Sequence, residues 1–183
     1  MRNIKIYLLV FIFLLTNEIN AQVKLGTIDT NQIVDKSVAY IEATKTLEKK
    51  MKRLQNSAIQ ASRILSNKFI EFEKKKNFLS LSEYNKIKGD LLKEEEMLQK
   101  KFYSQRIILD KQFNRINQII EEHLKKIVDN IAKEKNITMI FNKILTLYNE
   151  QSVDITNEVI ERLNKELRFI DLSSLNDNYV LKK

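Results

Sequence analysis

The sequence predicts an α+β fold, predominantly α: a long antiparallel helical hairpin, a coiled-coil arm, carried on a small β-containing base. Three observations support this. From Ile41 to Lys135, 95 residues contain no proline and one glycine, Gly89, and nearly all of them follow a helical pattern. One clear interruption, Asn77-Phe78-Leu79-Ser80-Leu81-Ser82, lies near the middle of that run. Short β-prone segments flank it, Val23–Asp29 before and Ile137–Asn149 after. A chain folded this way has no cleft of its own and suits holding a partner better than transforming one.

The first 21 residues read as a secretory signal and stand outside the fold. Arg2 and Lys5 give a positive start, Ile6 to Leu15 is an unbroken apolar run, and Ala21 is small enough to precede a cleavage point. Ten residues span only about 15 Å as a helix, against roughly 30 Å for a bilayer core. The sequence has no cysteine, so disulfides and cysteine-based metal or redox chemistry are excluded. The expected location is the periplasm.

Within residues 22–40, Val23 to Asp29 alternates as a short strand, with Gly26 allowing close backbone approach. Asp29 or Thr30 can cap the helix that follows, whose apolar face runs through Ile33, Val34, Val38 and Ile41. The first arm helix then places Leu47, Met51, Leu54, Ala58, Ala61, Leu65 and Phe72 at the alternating three- and four-residue spacing of a heptad seam. Ser80 and Glu83 form a capping box, and Leu79 with Tyr84 a hydrophobic staple, so the second arm helix starts near Leu81 and the tip lies at 76–81.

The return helix carries Leu91, Leu98, Phe102, Leu109, Ile116, Ile120, Leu124, Ile127 and Ile131. Gln105, Gln112 and His123 also fall on its seam, and polar seam positions weaken a coiled coil while setting its register. Gly89 is either a bending point or a tolerated exposed glycine. After residue 136 the period changes to two. Ile137 to Phe141 and Ile144 to Tyr148 read as two strands joined near Asn142-Lys143. Asp154-Ile155-Thr156 then opens a last helix with Val159, Ile160, Leu163 and Leu167 on one face. The base is thus discontinuous, 22–40 with 136–170, the arm is 41–135, and 171–183 reads as a flexible tail.

Charge divides along the same lines. The arm has 22 Lys+Arg against 14 Asp+Glu, a net of +8, while residues 22–40 balance and 136–183 come to −1. Such an arm favours an anionic or acidic partner. Nothing points to catalysis or a cofactor: the single histidine, His123, sits on a helix, and two glycines cannot build a phosphate loop. The base, under 70 residues, is marginal alone, so oligomerisation is expected to supply the missing burial.

Taken in order, Val23-Lys24-Leu25-Gly26-Thr27-Ile28-Asp29, Leu79-Ser80-Leu81-Ser82-Glu83, Ile137–Phe141, Leu147-Tyr148 and Asp154-Ile155-Thr156-Asn157-Glu158-Val159 resemble the Skp/OmpH family of periplasmic chaperones. The resemblance spans residues 22–168 and implies a homotrimer with a shared β base and three protruding arms. It also implies a cofactor-free, ATP-independent holder of unfolded outer-membrane β-barrel proteins. On this reading Phe72, Lys74, Lys75, Lys76, Phe78, Leu79 and Tyr84 at the tip are candidate client contacts. Ile28, Ile137, Met139, Ile140, Phe141, Leu145, Leu147 and Tyr148 are candidate oligomer contacts. Contact of the basic arm with an anionic membrane surface or lipopolysaccharide is a further expectation; nucleic acid is not expected as a partner. The competing readings are a structural coiled-coil spacer in the envelope and a binder of nucleic acid or another anionic polymer.

Overall fold

The computed structural model describes residues 23–173, so the signal reading of 1–21 and most of the tail lie outside the described residues. Strand β1, Leu25–Ile28, pairs in parallel with β2, Met139–Asn142, in the register Leu25 to Met139 and Ile28 to Asn142. Thr27 also bridges to Asp154 on its other side, where the Ile155 N–H donates to the Thr27 carbonyl at 3.0 Å. Gly26 is what allows the close approach: a Cβ there would lie 3.2 Å from Ile140 and 3.3 Å from Ile137.

Helix α1, Thr30–Asp35, starts where the sequence places a cap, with the Gln32 N–H donating to the Asp29 carboxylate at 2.9 Å. Buried Ser37 then caps α2, Val38–Lys75. This break corrects the apolar face expected through Val38 and Ile41. Both are exposed, because the new helix starts at 38 and turns Ala39, Ala43 and Leu47 inward instead. Asn164 of the last helix spans the break, accepting from the Val38 N–H and donating to the Lys36 carbonyl.

A single 3-10 turn, Lys76–Phe78, links α2 to α3, Leu81–Lys135. At about 1.5 Å per residue the two helices are roughly 57 and 82 Å long. Ser80 and Glu83 form both halves of the capping box. The far end of α3 closes on Asn136 in the left-handed conformation, φ 53°, which asparagine tolerates better than most residues. Lys24 then donates to the Lys135 carbonyl at 2.8 Å, satisfying one of the last carbonyls of the helix. Helix α4, Thr156–Glu166, packs Val159, Ile160 and Leu163 into the base.

Burial falls into three clusters. The base core gathers Ile28, Ile33, Ile120, Ile127, Ile131, Val159 and Leu163. The arm root gathers Ala43, Leu47, Leu109 and Ile116, closed by Leu172. The tip gathers Leu65, Phe72 and Leu91. Leu172 belongs to the stretch read as tail, yet it is buried, and its carbonyl accepts from the amide of Gln112, itself 3% exposed. Residues 167–173 thus run back up the arm as a strap.

The second predicted strand does not form. Lys143–Leu145 is a 3-10 turn and Thr146–Glu150 is irregular, so Ile144, Leu145, Leu147 and Tyr148 stand in solvent. Alternation alone does not make a strand: the 3-10 turn at Lys143–Leu145 and the irregular stretch after it carry the chain away from β2, whose outer edge stays unpaired among the described residues.

Candidate functional site

Two surfaces remain unsatisfied within one chain: the outer face of the arm and the open face of the base. At the tip, the candidate contacts separate. Phe72 is 6% exposed and stacks on Tyr84, ring centroids 4.9 Å apart, while Leu79 packs against the same cluster. These three build the tip's own core, Phe72 buried and Leu79 and Tyr84 half-buried, because a two-helix turn must bury something to hold its ends together. Phe78, by contrast, is 88% exposed. Lys74 pairs with Glu71 at 2.8 Å and Lys76 lies 5.7 Å from the Tyr84 ring centre, whereas Lys75 stands in solvent.

Sequence reasoning missed most of the exposed apolar surface. Leu81, Leu92 and Tyr103 lie along α3 at eleven-residue spacing, three helical turns, so they share one outward line. Ile59 and Ile70 repeat that spacing on α2, and Met97 and Ile108 on α3. The heptad search that found the seam passes over an eleven-residue period, and that period is the signal that would have found them. These side chains stand among solvated cations. Such a surface offers many small apolar contacts and no enclosed chamber.

In the base, Ile28 is buried, while Ile137 and Ile140 pack against the core and remain half-buried. Met139, Phe141, Leu145, Leu147 and Tyr148 are exposed, and Leu25 and Ile144 join them. Met139 and Phe141 lie on β2, whose outer edge has no partner strand among the described residues, the others on the segment after it, and Leu25 on β1 beside Met139. An apolar sheet edge without a partner strand is a template for pairing.

Polar contacts hold this face in place. Asp154 accepts from Thr156 N–H and hydroxyl and from Lys143, while the Thr156 hydroxyl also accepts from the Asp29 N–H. Burial alone would raise the Asp154 carboxyl; the hydrogen bonds from Lys143 and Thr156 outweigh it and hold it below the usual aspartate range. Arg162 grips Glu134 with both terminal nitrogens and reaches Glu158, which Lys135 also pairs, fixing α4 against the end of α3. Among the described residues, no group of three or more His, Cys, Asp or Glu could hold a metal ion, and no helix is long and apolar enough to cross a membrane.

Comparison with known proteins follows the same outline. Residues 24–163 match the family described as outer membrane protein (OmpH-like). A protein of Aquifex aeolicus (strain VF5), described only as uncharacterized, is 29% identical over 150 residues, covering 75% of this chain and 84% of its own. A crystal structure from Caulobacter crescentus CB15, described as a candidate outer membrane chaperone (OmpH-like), superposes with a TM-score of 0.73 at 11% identity. It covers 82% of this chain and 89% of its own, and at that identity the likeness shows a shared fold.

Proposed function

The chain belongs to the OmpH-like family of outer membrane proteins, and on that footing we propose that it is an ATP-independent periplasmic holding chaperone. Its clients are unfolded outer-membrane β-barrel proteins, gripped between the arms of a homotrimer. The observation that carries the reading is the arm's outer surface: apolar side chains such as Leu81, Leu92 and Tyr103 spaced along its length among an excess of cations. A barrel strand outside its membrane exposes alternating apolar residues that cannot be left in water. Many weak apolar contacts give useful affinity while letting the client move and leave. Long-range attraction to the basic arm speeds its capture. The same charge would bring the arms to lipopolysaccharide or an anionic membrane surface.

The trimer is supported by the free β2 edge and by Met139, Phe141, Leu145 and Leu147, which one chain leaves in water. A purely structural spacer would have no use for an arm so apolar on its outside. The test is dilution of a urea-unfolded barrel protein into buffer with and without this protein. Light scattering should stay low at a small molar excess; scattering equal to the barrel alone would overturn the holding role.

A further inference from the structure

The arm is packed at its tip and its root but not between them. No side chain of α2 from Glu48 to Ile64 is buried, nor any of α3 from Leu92 to Ile108. Ser57 and Ala61 are too small to fill the space opposite Phe102, so a groove of about 570 Å³ opens along one side of the seam. Its apolar lining includes Ala61, Leu98 and Phe102, and Lys50, Arg53 and Lys101 stand around it. No acidic residue lines it, and none of the three cations forms an ion pair among the described residues.

The cations sit at both ends. The Lys68–Glu94 ion pair, 2.7 Å, marks the antiparallel register, which brings Lys101 close to the level of Ala61 on the tip side. Lys50 and Arg53 lie towards the root, and Arg53 is eight residues, about 12 Å, from Ala61 along the helix. In an extended peptide, residues i, i+2 and i+4 share one face, and i to i+4 spans about 13 Å. An acidic residue at each end with an apolar one between them matches that spacing in both charge and length.

We propose that this mid-arm groove is a discrete binding site for extended polypeptide of the pattern acidic–x–apolar–x–acidic. The proposal rests on the holding role above and deepens it by naming what the arm selects within a client. The apolar side chain enters the gap over Ser57, midway between Arg53 and Ala61 on the helix, and the two carboxylates pair with Arg53 and Lys101. Charge pairs at such an exposed rim contribute modestly each, so selectivity comes from both ends being met at once.

Anisotropy of a labelled peptide Gly-Asp-Ser-Phe-Ser-Asp-Gly, and of its twin with lysine for aspartate, reads the site directly in the folded protein. The acidic peptide should bind at least tenfold tighter than its twin, and more weakly as salt is raised. Arg53→Glu with Lys101→Glu should weaken it at least tenfold, and so should Ser57→Phe, which fills the gap without changing charge. Lys125→Glu with Lys126→Glu, an equal charge reversal away from the groove, should change it less than twofold. Equal weakening by both reversals would reduce the effect to net charge, and equal binding of the twins would remove the site; either overturns the proposal. Scattering with an unfolded barrel separates the two ideas. Wild-type protein that binds the acidic peptide selectively but leaves the barrel aggregating contradicts the holding role and not the groove.

Discussion

Asp154 and Ser80 show what a single side chain does in this fold, and how far each was readable. Ser80 caps α3 through contacts within three residues, so Ser80→Ala should cost about 1 kcal/mol of local stability. Hydrogen exchange should quicken over Leu81–Tyr84 and stay unchanged in the base; equal change at both would contradict a separable arm. Asp154 was legible only as a helix opener. Its pairing with Lys143 and its bridge to Thr27 join segments whose proximity no local pattern reveals. Asn164, holding the break between α1 and α2, is hidden for the same reason. Because the folded Asp154 carboxyl sits below its ordinary value, the unfolded chain binds that proton first as pH falls. Its contribution is therefore complete above about pH 4 and is lost as pH drops through the lower folded value. The acid-induced fall in base stability should flatten in Asp154→Asn when melting is followed from pH 5 to pH 2. An unchanged slope would mean that the ion pair contributes nothing.

Elements were legible where the pattern is local and repeats. The heptad seam of α2 is half-buried or buried at every position named from sequence, from Leu47 through Phe72. The apolar positions of the return helix hold equally from Leu91 to Ile131, with Gln112 inside as its register implied; Gln105, placed on the seam by the same register, is exposed because the mid-arm seam is open there. Gly26 likewise behaves as a point of close approach. The Ile144–Tyr148 strand failed because alternation shows a half-buried face without saying what covers it. Gly89 lies in unbroken helix, and a Cβ there would meet nothing within 4 Å. Gly89→Ala should therefore stabilise the distal arm by about 1 kcal/mol, seen as slower hydrogen exchange over residues 81–98. Slower exchange confined to the base would place the effect elsewhere. The strap was hidden because Leu172 opens a largely polar stretch, Ser173 to Asn178, with no periodicity to mark a packed face. Leu172→Ser removes its apolar cover from Leu47 and Ile116, at roughly 2 kcal/mol or more. Exchange should quicken in α2 and α3 at the arm root, residues 43–51 and 109–116, and not at the tip. No change at the root would make the strap incidental.

At the scale of the whole molecule, one chain is an incomplete object. Its base core is well formed around Ile33, Ile127, Ile131 and Leu163, yet Phe141, Leu145 and Leu147 beside it face water. Its arm binds little of itself and leaves its outer face free. Both features make sense together if several chains share one base and surround a client with their arms. Leu147→Asp would place an unpaired charge in that shared interface and should lower the assembly to monomers in sedimentation. A variant sedimenting like wild type would move the interface elsewhere. Native mass spectrometry of the purified protein mixed with an unfolded outer-membrane barrel tests the central claim most directly. One client held by three chains is the expected species, with the same trimer seen when the client is absent. A stable folded monomer at micromolar concentration, or a complex of one chain with one client, would contradict it.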